Sequence, residues 1–145
     1  MVRAGHPPHH TRWVAVALVL VGTSALAGCG TGAEDLDLAG RTFVSTEVRG
    51  HTLVDGTVIR LSFEEDSISA QAGCNTMFGP ASWEGEVLTT EGPMAMSMMA
   101  CDNGLSEQDD WLSSFLTSEP AITLEGDTLV LGTDDEGITM TEDGP

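Results

Sequence analysis

The residues of this sequence most able to do chemistry are its three cysteines, Cys29, Cys74 and Cys101. Cys74 and Cys101 lack the C-x-x-C spacing that tunes the thiol pKa in many redox proteins. If Cys29 serves a separate purpose, an exported chain keeps an even pair, and such a pair usually indicates a disulfide. The sequence therefore predicts a structural Cys74–Cys101 bridge, which on the chain-entropy model contributes roughly 3 kcal/mol to stability.

Cys29 ends a segment that has the features of an export signal. Two arginines accompany an apolar run at residues 13–21, and this run is shorter than the roughly 20 residues that span a bilayer. The tetrapeptide Leu26-Ala27-Gly28-Cys29 resembles the lipobox of bacterial lipoproteins, and the alternative is an ordinary secretory peptide with a chance cysteine. We predict that residues 1–28 are a lipoprotein signal peptide. Lipid attachment at Cys29 would then anchor the chain to the extracytoplasmic face of the cell membrane.

The remaining chain is strongly acidic. The net charge is −18, all 23 acidic residues follow Cys29, and lysine is absent. Such a surface repels nucleic acid and anionic lipid headgroups, so that we predict a monomer that has no nucleic-acid partner and is held at the membrane only by its lipid. Acidic residues cluster at 64–66 and 134–136. Because neither cluster has the spaced ligands of a Ca²⁺ loop, we interpret both as solvated turns.

Few side chains are suited to catalysis. His51 is the only histidine after Cys29, and lysine and tyrosine are absent, which removes most general bases and Schiff-base nucleophiles. A serine hydrolase would depend on His51 alone, without a nucleophile-elbow motif. A glycosidase-type carboxylate pair stays open, since sequence gives no separations. We predict that the protein is not an enzyme and carries no cofactor.

Four methionines lie close together at Met94, Met96, Met98 and Met99. In an extended strand the first three would project from one face and Met99 from the other. Thioethers near a thiol would suit Cu(I), whereas the alternative is that they fill an irregular core beneath a helix. We favour packing and predict no metal site.

The elements that position these residues are mostly short strands, which period-two alternation and turn residues predict. They lie at 42–48, 51–54, 58–64, 67–72, 78–83, 86–90, 93–100, 121–125, 128–131 and 138–141. One helix interrupts them, with Ser106 as its N-cap and an apolar stripe broken only at Gln108, and it stops at Pro120. This pattern predicts a mainly β, antiparallel, barrel-like fold with one short helix.

Gly73 and Gly79 flank a turn that contains Cys74 and Asn75. We predict a positive φ at one of the two glycines, with the Asn75 side chain bonded to local backbone. The functional alternative is a loop that binds a partner.

The same segments carry a family resemblance. Ala72-Gly73-Cys74-Asn75 with Gly79, and the stretch Ser97-Met98-Met99-Ala100-Cys101, resemble the motifs of the META domain found in HslJ-type heat-shock lipoproteins of the bacterial envelope. The resemblance covers roughly residues 40–141 and departs at Ser97, where the family more often has Thr. It implies that Gly73, Asn75, Gly79 and Met99 are motif residues. It also implies a barrel-like domain outside the cytoplasm with no established enzymatic activity.

The sequence thus predicts three segments: a signal peptide at 1–28, a flexible tether at 29–37 and a META-like β domain at 38–145. The predicted function is that of a non-enzymatic, lipid-anchored protein of the cell envelope that binds an unidentified envelope protein or has a role in envelope stress. The alternative is a barrel that carries a small apolar ligand. An enclosed apolar cavity of about 300 Å³ or more would favour the carrier, and a filled interior would disfavour it.

Overall fold

Alternating side chains build one antiparallel sheet in the computed structural model, which describes residues 36–144. The described residues form nine strands and one α-helix, together with a short 3-10 helix at Glu84–Glu86. They are β1 Thr42–Arg49, β2 Arg60–Phe63, β3 Ser67–Gln71, β4 Thr76–Ser82, β5 Thr89–Thr90, β6 Ala95–Met96, α1 Leu105–Thr117, β7 Ile122–Glu125, β8 Thr128–Gly132 and β9 Gly137–Glu142. The sheet order is β5-β4-β3-β2-β1-β9-β8-β7, and β6 also pairs with β4.

The pairing of β2 with β3 shows why alternation predicts these strands. Leu61 and Phe63 are fully buried, and they lie opposite the buried residues Ala70 and Ile68 of β3. Intervening positions such as Ser62 are partly exposed. Because side chains alternate between the two faces of a strand, one face of the sheet supplies the core and the other meets solvent.

The curled sheet brings its two edges together. Just before β5 and β7, Val87 and Ala121 form an antiparallel bridge, and the backbone N–H of Leu88 donates to the carbonyl of Pro120 at 2.9 Å. These contacts partly close the edges of the sheet, which limits the unpaired backbone available for association. The predicted fold class, mainly β and barrel-like with one helix, is confirmed as an antiparallel β half-barrel.

Large side chains fill the interior of this half-barrel. Phe63 makes edge-to-face contacts with Phe43 and Trp83, with ring centroids 5.8 Å and 5.3 Å apart. Leu112 and Leu116 of α1 are fully buried in the same cluster. Burying each such side chain contributes about 1.5–3 kcal/mol relative to leaving it exposed. The core is therefore formed jointly by the sheet and the helix.

The helix begins two residues earlier than a Ser106 cap would place it. Gly104 takes the N-cap position with φ 83°, and Ser106 lies inside α1, where its hydroxyl donates to the Cys101 carbonyl at 3.2 Å. The N-cap prediction is therefore wrong. The left-handed conformation at Gly104 is readily adopted by glycine, which explains why the chain turns into the helix there.

Three predicted strands differ most from the structure. Residues 51–54 form no strand, because the Val54 N–H bonds to the side chain of Gln108 at 2.6 Å instead of to a neighbouring strand. The extended stretches 86–90 and 93–100 retain only β5 and β6. The alternation of apolar and polar residues does not show which of these segments forms backbone hydrogen bonds with another strand.

The folded part begins earlier than predicted. Leu36, which the sequence assigns to the tether, packs against the core, and its carbonyl accepts the indole N–H of Trp83 at 2.9 Å. The predicted signal peptide (1–28) and lipid attachment at Cys29 lie outside the described residues. Within residues 36–144, no helix has the length and hydrophobicity that a membrane crossing requires.

Candidate functional site

The site is built around a disulfide between Cys74 and Cys101, whose Cα atoms are 6.2 Å apart. Cys74 lies between β3 and β4, and Cys101 lies just before α1. The bridge therefore joins the sheet to the start of the helix across 27 positions of sequence. Both cysteines are partly exposed.

Asn75 is the hydrogen-bonding centre beside this disulfide and is only 5% exposed. Its Oδ1 accepts hydrogen bonds from the Ser97 hydroxyl at 3.0 Å and the Met99 N–H at 2.9 Å. Its Nδ2 donates to Asp109 Oδ2 at 2.9 Å and to Cys101 Sγ at 3.2 Å. The predicted bonding of Asn75 to local backbone is wrong, because every one of these partners is distant in sequence.

We call this set of contacts the Asn75 network: the disulfide, the side chains of Asn75, Ser97 and Asp109, and the N–H of Met99. It joins the turn before β4, the segment after β6 and the first turns of α1. Ser97 Oγ also accepts a hydrogen bond from the Thr76 N–H at 3.0 Å. The Ser97 hydroxyl, at the position where the resemblance departs from the family's more frequent Thr, thus makes two hydrogen bonds in the network.

Asp109 is a functional candidate that the sequence interpretation missed. It is 1% exposed, and its Oδ2 accepts both the N–H and the Nδ2 of Asn75, at 3.0 Å and 2.9 Å. Oδ1 is buried and has no hydrogen-bond partner among the described residues. The sequence predicts Asp109 only as the carboxylate three residues after a Ser106 N-cap, and this capping role is wrong because Gly104 is the N-cap. Its spacing from Leu105 and Leu112 places it on the buried face of the helix, which is the signal that would have found it.

The Asp109 carboxylate lies beside both sulfurs. One ligand atom from each of Cys74, Cys101 and Asp109 lies within 4.8 Å of the other two. While the disulfide is formed, the sulfurs are bonded to each other and are not thiolate ligands. In the oxidised state the cluster therefore has a structural role, as a covalent link between the sheet and the start of α1.

Gln108 is a buried polar residue rather than an interruption of the helix face. Its Nε2 donates to Thr57 Oγ1 at 3.0 Å and to the Ala72 carbonyl, while its Oε1 accepts the Val54 N–H. The amide is 1% exposed and makes all of these contacts at once. It therefore fastens the 51–57 loop to α1, next to the Asn75 network.

The two motif glycines have different roles. Gly73 has φ 128°, and a Cβ there would lie 2.9 Å from Thr57 Cγ2 and 3.1 Å from Leu105 Cδ2. A Cβ at Gly79 would lie 3.6 Å from the backbone of Met94, in ordinary contact. Of the two, Gly73 is the glycine with the predicted positive φ, and the close approach of its neighbours disfavours any side chain.

The methionines do not share one face. Met94 is buried and Met96 packs partly buried against the core, whereas Met98 is 93% exposed and Met99 59% exposed. The predicted packing role therefore describes only the first two. The predicted alternation is wrong because β6 ends at Met96, so that Met98 and Met99 lie beyond the strand. The three thioethers proposed as Cu(I) ligands do not share one environment.

His51 packs against an aromatic ring. Its imidazole stacks on Trp111 with centroids 4.3 Å apart and the planes at 9°. The residue lines an open surface cleft of about 390 Å³ together with hydroxyl side chains such as Thr46 and Thr52. This stacked arrangement is not that of a base hydrogen-bonded to a nucleophile.

The cations of the described chain are used in ion pairs. Arg41 makes a bidentate pair with Glu142, at 3.0 Å and 2.6 Å, which raises the pKa of Arg41 and lowers that of Glu142. Arg49 pairs with Glu47 at 3.6 Å, and Arg60 pairs with Asp143. Most of the acidic groups therefore face solvent without a cationic partner.

Comparisons with known proteins agree with this fold. A structure described as the NMR structure of a protein is similar, with 30% identity and a TM-score of 0.59, over 72% of this chain and 90% of that one. A second NMR structure, of a protein from Burkholderia xenovorans, has 18% identity and the same TM-score over 74% of this chain and 85% of that one. The latter shows the fold alone. No curated protein sequence matches significantly.

The sequence model of the META domain matches residues 36–144, which is the same stretch that forms the half-barrel and its helix. The match includes both cysteines of the disulfide and all of the Asn75 network. The chain belongs to the META domain family.

Proposed function

We propose that this protein is a lipid-anchored META-domain protein of the bacterial envelope that binds a protein partner and catalyses no reaction. The META domain is not a known enzyme family, and a β half-barrel fits a non-enzymatic envelope-type domain. The lipobox-like sequence ending at Cys29 supports the anchor. A disulfide supports a location outside the reducing cytoplasm.

The observation that carries the binding role is the exposed Met98–Met99 segment on a rigid support. Met98 and Met99 are 93% and 59% exposed. The Met99 N–H is held by Asn75, and the disulfide fixes Cys101 two residues later. Flexible thioether side chains adapt to apolar partner surfaces, and a loop fixed on a scaffold is a common recognition element.

The carrier alternative has less support. The interior of the half-barrel holds large buried side chains from both the sheet and α1, including Phe43, Phe63 and Leu112. Clefts of about 320–430 Å³ lie along the described domain, but they are open to solvent rather than enclosed. A ligand carrier needs an enclosed space that buries most of the ligand surface.

The anchor is tested by labelling bacteria that express the full chain with radioactive palmitate. We expect label on the wild-type protein and its recovery in the membrane fraction. Cys29→Ala should lose both, whereas Cys74→Ala should keep the label. An unlabelled wild-type protein in the soluble fraction would contradict the proposal.

The partner role is tested by placing a photoreactive side chain at position 98 or position 58. Val58 is the matched control, since it is an exposed apolar residue (50%) elsewhere on the domain. We expect irradiation of intact cells to give a discrete crosslinked protein from position 98 and not from position 58. The yield should fall when Met99→Ser is added. Equal products from both positions would indicate non-specific contact.

A further inference from the structure

The two sulfurs of the disulfide belong to a cluster of possible metal ligands. Cys74, Cys101 and Asp109 offer two sulfurs and one carboxylate oxygen within 4.8 Å of one another. A tetrahedral Zn²⁺ ion binds sulfur at about 2.3 Å and oxygen at about 2.0–2.2 Å, so that its ligands lie about 4 Å apart or closer. The carboxylate oxygen therefore lies close enough to share an ion with both sulfurs, whereas the sulfurs are bonded to each other and must move apart after reduction to reach this separation.

The buried carboxylate of Asp109 is a second, independent observation that points to a metal ion. Its carboxylate is 1% exposed, yet Oδ1 has no hydrogen-bond partner among the described residues. Unsatisfied buried polar atoms are rare in native proteins, and a bound ion is one of the explanations for them, along with strain, a redox or catalytic role, or an ordered water. Oδ2 is held in place by two hydrogen bonds from Asn75. The carboxylate is thus fixed beside the sulfurs with one oxygen free to bind.

Charge strengthens the case for a cation in the reduced protein. Opening the disulfide would place two ionisable thiols against a buried carboxylate in a chain of net charge −18. The three arginines of residues 36–144 pair with Glu142, Glu47 and Asp143 instead. A divalent ion would offset the repulsion between thiolates and carboxylate, and the acidic surface raises the local concentration of cations.

We propose that, after reduction, Cys74, Cys101 and Asp109 bind one divalent cation of the Zn²⁺ or Cd²⁺ class. A dithiol reductant supplies two electrons and two protons, becomes a disulfide itself and converts the bridge into two thiols. Metal binding then releases both thiol protons as the sulfurs become ligands. The side-chain Nδ2 of Asn75 donates to Cys101 Sγ at 3.2 Å and orients that sulfur as an outer hydrogen bond.

The site has a route to solvent. Cys74 lines an open cleft of about 320 Å³ together with Gly73 and Arg60. A small reductant and a metal ion can both approach through it, and a solvent molecule can occupy the fourth tetrahedral position. The disulfide and the metal site are therefore alternative states of the same three residues, selected by the redox state.

The test uses Co²⁺ as a spectroscopic probe for the purified full-length protein, reduced with dithiothreitol and desalted without oxygen. We expect one Co²⁺ per chain, with thiolate-to-metal charge-transfer and tetrahedral ligand-field bands, and displacement by one equivalent of Zn²⁺. The oxidised protein should show neither band. Reduced protein that binds no Co²⁺, or oxidised protein that binds equally well, would overturn the proposal.

Variants identify the ligands. Cys74→Ser should remove most of the charge-transfer band, and Asp109→Asn should weaken Co²⁺ binding by at least about tenfold. Asp110→Asn is the matched control, since Asp110 is the exposed neighbour on the same helix, and it should bind like wild type. Far-UV circular dichroism checks that each variant is folded.

If Asp109→Asn fails to fold, ¹¹³Cd NMR of the reduced wild-type protein decides instead. The chemical shift of ¹¹³Cd depends on how many sulfur and oxygen ligands it has. We expect a shift for two sulfurs with oxygen ligands, together with thermal stabilisation of the reduced but not the oxidised protein by Cd²⁺. A shift typical of exposed carboxylates alone would overturn the proposal.

Discussion

At the scale of single residues, Asn75 joins more of the molecule than any other side chain at the site. Its amide bonds to a hydroxyl, a backbone N–H and a sulfur on the segment after β6, and to a carboxylate on α1. Both the oxygen and the nitrogen of the amide are needed, because Oδ1 accepts and Nδ2 donates. Replacing only one of these two groups should therefore separate their contributions.

We predict that Asn75→Ala lowers the free energy of unfolding by roughly 2–3 kcal/mol, because buried partners lose their hydrogen bonds. Asn75→Asp should be worse than Asn75→Ala, although it is nearly isosteric. It keeps the acceptor for Met99 but sets a carboxylate oxygen against Asp109 Oδ2, which the amide contacts at 2.9 Å. Urea unfolding measures the free energy of unfolding of both variants, and the slope m checks that unfolding is two-state.

Gln71→Ala is the control for these variants. Gln71 is exposed, and its amide donates to Thr76 Oγ1 at 2.8 Å on the neighbouring strand. Its removal should change stability by no more than about 0.5 kcal/mol, as for most surface positions. An Asn75→Asp protein as stable as wild type would show that the amide donor has no structural role.

At the scale of elements, the turn after β3 packs directly against the loop before β2 and the start of α1. Gly73→Ala should lower the free energy of unfolding by roughly 2–4 kcal/mol, since it adds backbone strain to overpacking. Gly56→Ala is the matched control. It has φ 81° with no atom within 4 Å of the added Cβ, so its cost is backbone strain alone, and urea unfolding should show a smaller loss than for Gly73→Ala.

The strand ends are joined by Arg41, which contacts Glu142 of β9 and donates to the carbonyls of Asp37 and Gly126 at 3.1 Å. The hydrogen bond from Arg41 lowers the pKa of Glu142 below its ordinary value of 4.5. A lowered pKa in the folded state means that the pair stabilises the fold above the ordinary pKa. This stabilisation is lost as the pH falls through the lowered value.

We therefore predict that Glu142→Gln is less stable than wild type at pH 7 and that the difference shrinks at low pH. Urea unfolding at pH 7, 4 and 3 measures it. Glu125→Gln, an exposed acid on β7, corrects for the general titration of carboxylates. A wild-type advantage over Glu142→Gln that stays constant down to pH 3 would contradict the role of this pair.

The elements also show which parts of the fold sequence can predict. Alternation predicts strands β1, β2, β3, β8 and β9 because one buried face imposes it on neighbouring residues. It does not predict the roles of Gln108 and Asp109, because their partners, Val54, Ala72 and Asn75, lie far away along the chain. The number and context of the cysteines predict their pairing, but the position of the carboxylate beside them depends on how α1 packs.

At the scale of the whole molecule, most acidic groups lack a cationic partner. Three arginines must serve a domain that holds nearly all of the 23 acidic residues, and each already lies in an ion pair. Two effects of salt therefore oppose each other. Screening weakens the ion pairs of the three arginines, but it also weakens the repulsion among the many unpaired carboxylates.

We predict that repulsion dominates and that NaCl stabilises the domain. Raising ionic strength from 0.01 M to 0.15 M shortens the Debye length from about 30 Å to about 8 Å, which suppresses repulsion across the surface while leaving close pairs less affected. A gain of about 1 kcal/mol would raise Tm by roughly 4 °C. Thermal unfolding at pH 7 measures it, and the gain should shrink at pH 4, where carboxylates begin to protonate. A Tm that falls with salt at pH 7 would mean that the arginine pairs outweigh the repulsion.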